Sequence, residues 1–276
     1  MSDIAAESLG LPYPPAYLGR RERGVLTGLN YASGACGIFN KTGILSGACF
    51  SLYDQIHLFN KTIEEELKEK FKTEEELSDY LAKSLYVMYM GNNDYIYYLT
   101  SNYSKSAGIP KDHQQFSDIL LHQFNSELQK LYSLGARKIA IFEVGPLGCT
   151  PMAIKILGTG NGCLEDVNQM ITYFNGELKI MLSNLTSTLQ GSSFVLNPSY
   201  SLAYDIIKNP TKYGLTDSAK PCCRTWINMT ATCMPLAPPC RDHQKHFFWD
   251  SVHPTEAANS LASKHFKIST FSSLHL

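Results

Sequence analysis

The sequence has almost no charge bias: 24 Lys and Arg stand against 25 Asp and Glu, a net charge of -1. Without a basic face there is nothing to draw a polyanion, which argues against nucleic acid as a partner. It also lacks any apolar run near the roughly 18 residues that a membrane helix needs, so no transmembrane segment is expected. Its first residues, Met1-Ser2-Asp3-Ile4-Ala5-Ala6-Glu7, lack the basic stretch and following apolar core of a signal peptide. Internal repeats and low-complexity tracts are missing too. What is present is a 276-residue chain, 44% hydrophobic. That is enough to bury a full core, and one domain over 1–276 is expected.

Two features sit poorly with the missing signal peptide. Eight cysteines lie at positions 36, 49, 149, 163, 222, 223, 233 and 240. Five Asn-x-Ser/Thr sequons occur, at Asn40, Asn60, Asn102, Asn184 and Asn228, where chance alone would give about two or three. Clustered cysteines and candidate glycosylation sites together point to an oxidising, secretory compartment. A chain with export features and no export signal reads as truncated at its front.

Short apolar runs alternate with long amphipathic stretches, the pattern of an α/β fold with a parallel sheet. Strands are expected at Leu29–Ala32, Leu85–Met90, Lys138–Val144 and Phe194–Leu196. Apolar residues spaced by three or four predict helices along Leu52–Leu67, Phe116–Leu131 and Val167–Leu185. Gly135 should end the second of these. Beyond Tyr204 the chain turns rich in Pro and Cys, and a last helix is expected over Thr255–His265. Polar turns follow two of the strands, at Ser33-Gly34-Ala35-Cys36-Gly37 and Gly91-Asn92-Asn93-Asp94. In open parallel sheets that edge is where ligands bind.

Three groups carry chemistry. Asp250 and His253, three residues apart on one loop, have the spacing that lets a carboxylate hold one imidazole nitrogen and leave the other as a base. Asn93 stands at a strand end, where an amide can donate to a developing oxyanion. The turn at Gly34 and Ala35 can offer a backbone N–H to the same oxyanion. Each has a plainer reading as a turn or loop contact. For Cys222, Cys223, Cys233, Cys240, His243 and His246 a metal site competes with disulfides. Adjacent cysteines lack the gap that lets two thiolates bind one zinc from a single turn, so disulfides are expected.

The order of these motifs resembles the GDSL (SGNH-hydrolase) esterase/lipase family, specifically its large plant branch. The resemblance rests on Gly28-Leu29-Asn30-Tyr31-Ala32-Ser33-Gly34, Gly91-Asn92-Asn93-Asp94-Tyr95, Gly135 through Cys149, and Phe248 through Asn259. It implies a three-layer α/β/α sandwich with a central parallel sheet of flavodoxin-like form, and hydrolysis of lipid or other acyl esters through an acyl-serine, without a cofactor. His253 would be base and then acid, Asp250 its orienting group, and Asn93 with Gly34 or Ala35 the oxyanion hole. It also implies pairing of Cys149 with Cys163 and further bridges among Cys222, Cys223, Cys233 and Cys240. Arg224 replaces the glycine common after the Cys-Cys pair. The larger departure is that no Gly-Asp-Ser turn occurs in the 276 residues. The nucleophile and its strand, expected between the strands at Leu29–Ala32 and Leu85–Met90, are thus missing, and this chain should be inactive alone. Ser33 and Ser251 lie near the motifs without a nucleophile-elbow context. A ligand-binding, catalytically inactive relative is the competing reading.

Overall fold

Several helices begin where a short polar side chain satisfies a free backbone N–H group, as Ser51, Thr73 and Thr150 do. A computed structural model describes residues 3, 6–7, 9–19, 25–44, 47–102, 112–158, 162–225 and 233–262. Helix α1, Leu52–Thr62, opens on a capping box in which Ser51 and Asp54 serve each other's backbone. It runs on as a π turn over Ile63–Leu67, so Leu52, Ile56, Ile63 and Leu67 are all buried. Helix α2, Glu74–Lys83, is capped by Thr73 and leads into strand β1, Leu85–Met88.

Helices α3, Asn92–Asn102, and α4, His113–Ser133, then cross to β2, Lys138–Phe142. Gly135, with φ of +103°, supplies the left-handed residue just after α4. The short α5, Pro151–Ile156, and the long α6, Glu165–Thr188, lead to β3, Ser193–Asn197. The three strands form one parallel sheet in the order β1-β2-β3, with Val87 beside Ala140 and Ala140 beside Val195.

Strand alternation divides the packing. Ile139 and Ile141 join Phe124, Leu128, Phe174 and Leu178 of α4 and α6 in the main core, whereas Ala140 and Phe142 face the other way, toward Leu85, Val87 and Val195. After α7, Ser199–Lys208, a second two-stranded parallel sheet joins β4, Asp217–Pro221, to β5, His246–Phe248. It packs in a smaller cluster of Ile206, Ile207, Leu215, Phe247, Phe248 and Ala258. Residues 256–262 are helical, and the rest of the expected last helix lies outside the described residues.

One expected strand is absent. Leu29–Ala32 makes only an isolated bridge from Asn30 to Ala16. Gly28 has φ of +115°, and the Asn30 side chain folds back to accept the Ala32 N–H at 2.9 Å. Local turn chemistry there outcompetes strand pairing. Among the described residues β1 is therefore an edge of its sheet.

Candidate active site

The polar residues gather where β1 and β2 end. A Cβ on Gly91 would come within 2.9 Å of Val144 Cγ2, and its φ is +102°, so space and backbone both require glycine. The next three residues open α3, and each binds a different partner. Asn92 Oδ1 accepts the Gly145 N–H at 3.1 Å. Asn93 Nδ2 donates to the Cys36 carbonyl at 2.8 Å. Asp94 accepts from Ile38 N–H at 2.9 Å, Phe39 N–H at 3.1 Å and Thr42 Oγ1 at 2.6 Å. Burial pushes the Asp94 carboxyl up, against the pull of these bonds.

Asn93 is thus tied to the loop that carries the Gly34–Ala35 turn. Ala35 has φ of +67°, a left-handed conformation that costs a non-glycine residue about 1–2 kcal/mol. Among the described residues no hydrogen bond occupies the N–H of Gly34 or Ala35. The Asn93 amide also has a second N–H besides the one given to Cys36. The Cys36–Cys49 disulfide fixes the same loop covalently to the residues before α1.

Asp250 and His253 form a self-contained unit. Asp250 Oδ1 accepts the backbone N–H of Val252 at 2.9 Å and of His253 at 2.7 Å, while Oδ2 lies 2.7 Å from His253 Nδ1. Burial alone would raise the Asp250 carboxyl, but these bonds from His253 and Val252 outweigh it and hold it below its usual range. The bond to Asp250 raises His253 above its usual value, against the opposing effect of burial. An ionised carboxylate only accepts, so Nδ1 carries the proton and Nε2 keeps its lone pair.

The loop bearing this pair is held from several sides. Trp249 N–H donates to the His253 carbonyl at 2.8 Å, and Met152 N–H of α5 donates to the Ser251 carbonyl at 3.0 Å. Cys222 and Cys223 donate their backbone N–H groups to Phe248 and Trp249, and disulfides Cys222–Cys240 and Cys223–Cys233 lock that segment. All four cysteines of the metal alternative are therefore consumed in disulfides. Asp242 and His246 lie near Cys240, whose sulfur is already bonded to Cys222. Cys149 pairs with Cys163 as the resemblance implied.

The structure brings Asn93 to the Gly34 turn and Asp250 to His253. Among the described residues no hydrogen bond joins the two pairs directly. Their link runs through α3 and α5, whose Ile96, Leu99, Met152 and Ala153 line one small cavity, and then through Met152 to Ser251. Of the two stray serines, Ser33 Oγ accepts the Phe50 N–H at 2.9 Å and Ser251 is wholly buried at 0% exposure. Sequence reasoning missed the Cys36–Cys49 bond, the strained Ala35 and the three contacts of Asp94. The signal for the last was Gly37, whose hydrogen leaves room that a Cβ would fill 2.3 Å from Asp94 Oδ2.

An α/β fold with a parallel sheet, an Asp–His pair and an asparagine at a strand end are features compatible with a hydrolase. The sequence model of the GDSL-like Lipase/Acylhydrolase family matches residues 2–266. GDSL esterase/lipase 7 of Arabidopsis thaliana is 39% identical over 267 residues, which span 94% of this chain and 72% of the relative. Two further Arabidopsis thaliana GDSL esterases/lipases are 41% and 38% identical, spanning 93% and 95% of this chain and 68% and 72% of their own lengths. The chain belongs to the GDSL esterase/lipase family, whose members are ester hydrolases.

Proposed function

We propose that these residues form the base and oxyanion half of an acyl-serine esterase acting on lipid or other acyl esters. The observation that carries this reading is the Asp250–His253 pair, in which one ionised carboxylate holds both the loop and the ring tautomer a general base needs. His253 Nε2 takes the proton of the attacking serine and returns it to the leaving alkoxide. Asp250 stabilises the imidazolium formed between these steps. Asn93 and the Gly34 or Ala35 N–H receive the charge that develops on the carbonyl oxygen.

The acyl-accepting serine is not supplied by these 276 residues, since no Gly-Asp-Ser occurs in them. Purified 1–276 should therefore release no more product from short p-nitrophenyl esters than its His253→Ala variant. His253-dependent turnover would show that a serine within 1–276 is acylated and overturn this part of the reading. Mass-spectrometric mapping of the native protein completes the test. Peptides containing Gly-Asp-Ser support the esterase, and a native protein without them supports the inactive, ligand-binding alternative.

We read the protein as secreted. Four disulfides support an oxidising compartment. Asn40 and Asn184 are exposed sequons, Asn60 is half-buried, Asn102 is the last residue of α3, and Asn228 lies outside the described residues.

A further inference from the structure

Asp94 is a buried carboxylate at 1% exposure, and no cationic side chain is among its partners. Leaving such a charge without a cation is costly, and the cost is met only by hydrogen bonds. All of those that come from outside its own helix come from one stretch of chain, 38–42, just beyond the Gly34–Ala35 turn. Oδ2 takes the Ile38 N–H, and Oδ1 takes both the Phe39 N–H and the Thr42 hydroxyl. Thr42 is itself buried at 3% exposure. Two glycines let this happen. A Cβ on Gly37 would stand 2.3–2.5 Å from the Asp94 carboxylate, and a Cβ on Gly43 would stand 2.4 Å from the Ala35 carbonyl oxygen. The loop therefore folds around the carboxylate at one end and back against the strained turn at the other. Asn93, the residue before Asp94, holds the Cys36 carbonyl in between.

We propose that Asp94 is a positioning residue for ester hydrolysis: it clamps residues 37–42 so that the Gly34–Ala35 turn and the Asn93 amide present their N–H groups together. The clamp acts in two places at once. By fixing Ile38 and Phe39 it sets the direction of the Cys36 carbonyl, which takes one Asn93 N–H and so aims the other. By fixing Thr42 it presses Gly43 against Ala35 and holds that residue in its left-handed conformation. A carboxylate suits this task because it has only acceptor sites, enough for three donors arriving from one side. Asparagine offers a single oxygen and would turn an N–H toward one of them.

The catalytic arm of this assignment rests on the esterase reading above; the structural arm rests on the loop alone. The test uses the native protein, with Asp94→Asn and, as a milder change that keeps shape, Thr42→Val. Hydrolysis of a p-nitrophenyl ester, amide hydrogen exchange of peptides covering 37–42, and the Asn93 side-chain amide resonance in selectively labelled protein are measured on each. Asp94→Asn should lower kcat at least about 10-fold and Thr42→Val about fivefold, both with KM within about twofold, because oxyanion contacts form in the transition state. Exchange at 37–42 should accelerate at least about 10-fold, and the Asn93 resonance should shift in both variants.

Unchanged exchange and an unmoved Asn93 resonance in Thr42→Val would overturn the clamp. So would a rise in KM with kcat kept, or activity lost only in proportion to folded protein. A wild type without esterase activity, but with faster exchange and a shifted Asn93 resonance in the variants, sinks the esterase reading and upholds the clamp on the loop.

Discussion

Replacing Asp250 by Asn removes one charge while keeping the shape of the side chain, and the hydrogen bonds around it dictate the outcome. The amide oxygen can keep the two backbone N–H groups of Val252 and His253 on the Oδ1 side. The NH2 then faces His253 Nδ1 in place of Oδ2. Two donors cannot share that contact, so the ring must carry its proton on Nε2 and lose its lone pair as a base. The variant should bring the His253 pKa down from its raised position toward or below the ordinary 6.5.

The stability effect has a definite pH window. His253 has a raised folded-state pKa, so its contribution is complete below 6.5 and is lost as pH rises through the raised value. Asp250 has a lowered one, so its contribution is complete above 3.8 and is lost as pH falls through the lowered value. The two overlap between 3.8 and 6.5. Although Asp250 is 5% exposed, the His253 side chain is 66% exposed. Solvent screens that half of the pair, and the loss on mutation is about 1 kcal/mol rather than the several expected of a fully buried pair. Urea unfolding of both proteins at about pH 5.5 and about pH 9, with imidazole NMR titration, measures it. An unchanged His253 pKa, or a stability gap as large at the alkaline pH as at the acidic one, would show that the Asp250 charge does not hold the ring.

Two further substitutions probe the scaffold. Ala35→Gly should stabilise the protein by about 0.5–1 kcal/mol in urea unfolding, since relief of a φ of +67° exceeds the added freedom of glycine in the unfolded chain; a net loss of stability would show that the turn is unstrained. Asn175→Leu should cost about 3 kcal/mol by the same measurement. Asn175 accepts the Val144 N–H at 3.0 Å and donates to the Val144 carbonyl at 2.9 Å, and leucine leaves both buried groups unpaired; a cost under about 1 kcal/mol would mean that water replaces the amide.

The three long helices α1, α4 and α6 and the three strands of the main sheet were legible because each writes its period into the sequence, whereas α2, α3, α5 and α7 are too short or too evenly polar to do so. Leu52, Ile56, Ile63 and Leu67 recur at helical spacing and are buried together, and the run at 139–142 is apolar throughout because both faces of β2 are buried. Leu29–Ala32 misled because its composition suits a strand while the Asn30 side chain supplies a local bond that no periodicity records. At the site, the contact of Asp250 with His253 was legible because its three-residue spacing on one loop stands within an ordered set of motifs that resembles a known family. The Asp94 clamp was not, because its partners lie 52 to 56 residues away. Loops paired over that distance leave no local pattern, only a glycine where a Cβ would not fit.

That difference in range says how the site is built. Asn93 and the Gly34–Ala35 turn grow from the main core, where Ile38 and Tyr95 are both fully buried with Leu120 and Phe124. The Asp–His pair grows from the smaller cluster of Phe247, Phe248 and Ala258 under β4 and β5. The segment between β2 and α5 touches both: Gly145 is held by Asn92, Leu147 packs in the main core, Cys149 packs in the smaller one, and Met152 holds Ser251. The internal geometry of the pair depends on one carboxylate, that of Asp250. The distance from that pair to Asn93 and the Gly34 turn depends on the segment instead, because no hydrogen bond among the described residues crosses between them. The stretch 145–152 is thus what spaces the Asp250–His253 pair from Asn93 and the Gly34 turn, and it is buried at every position from Pro146 to Ala153.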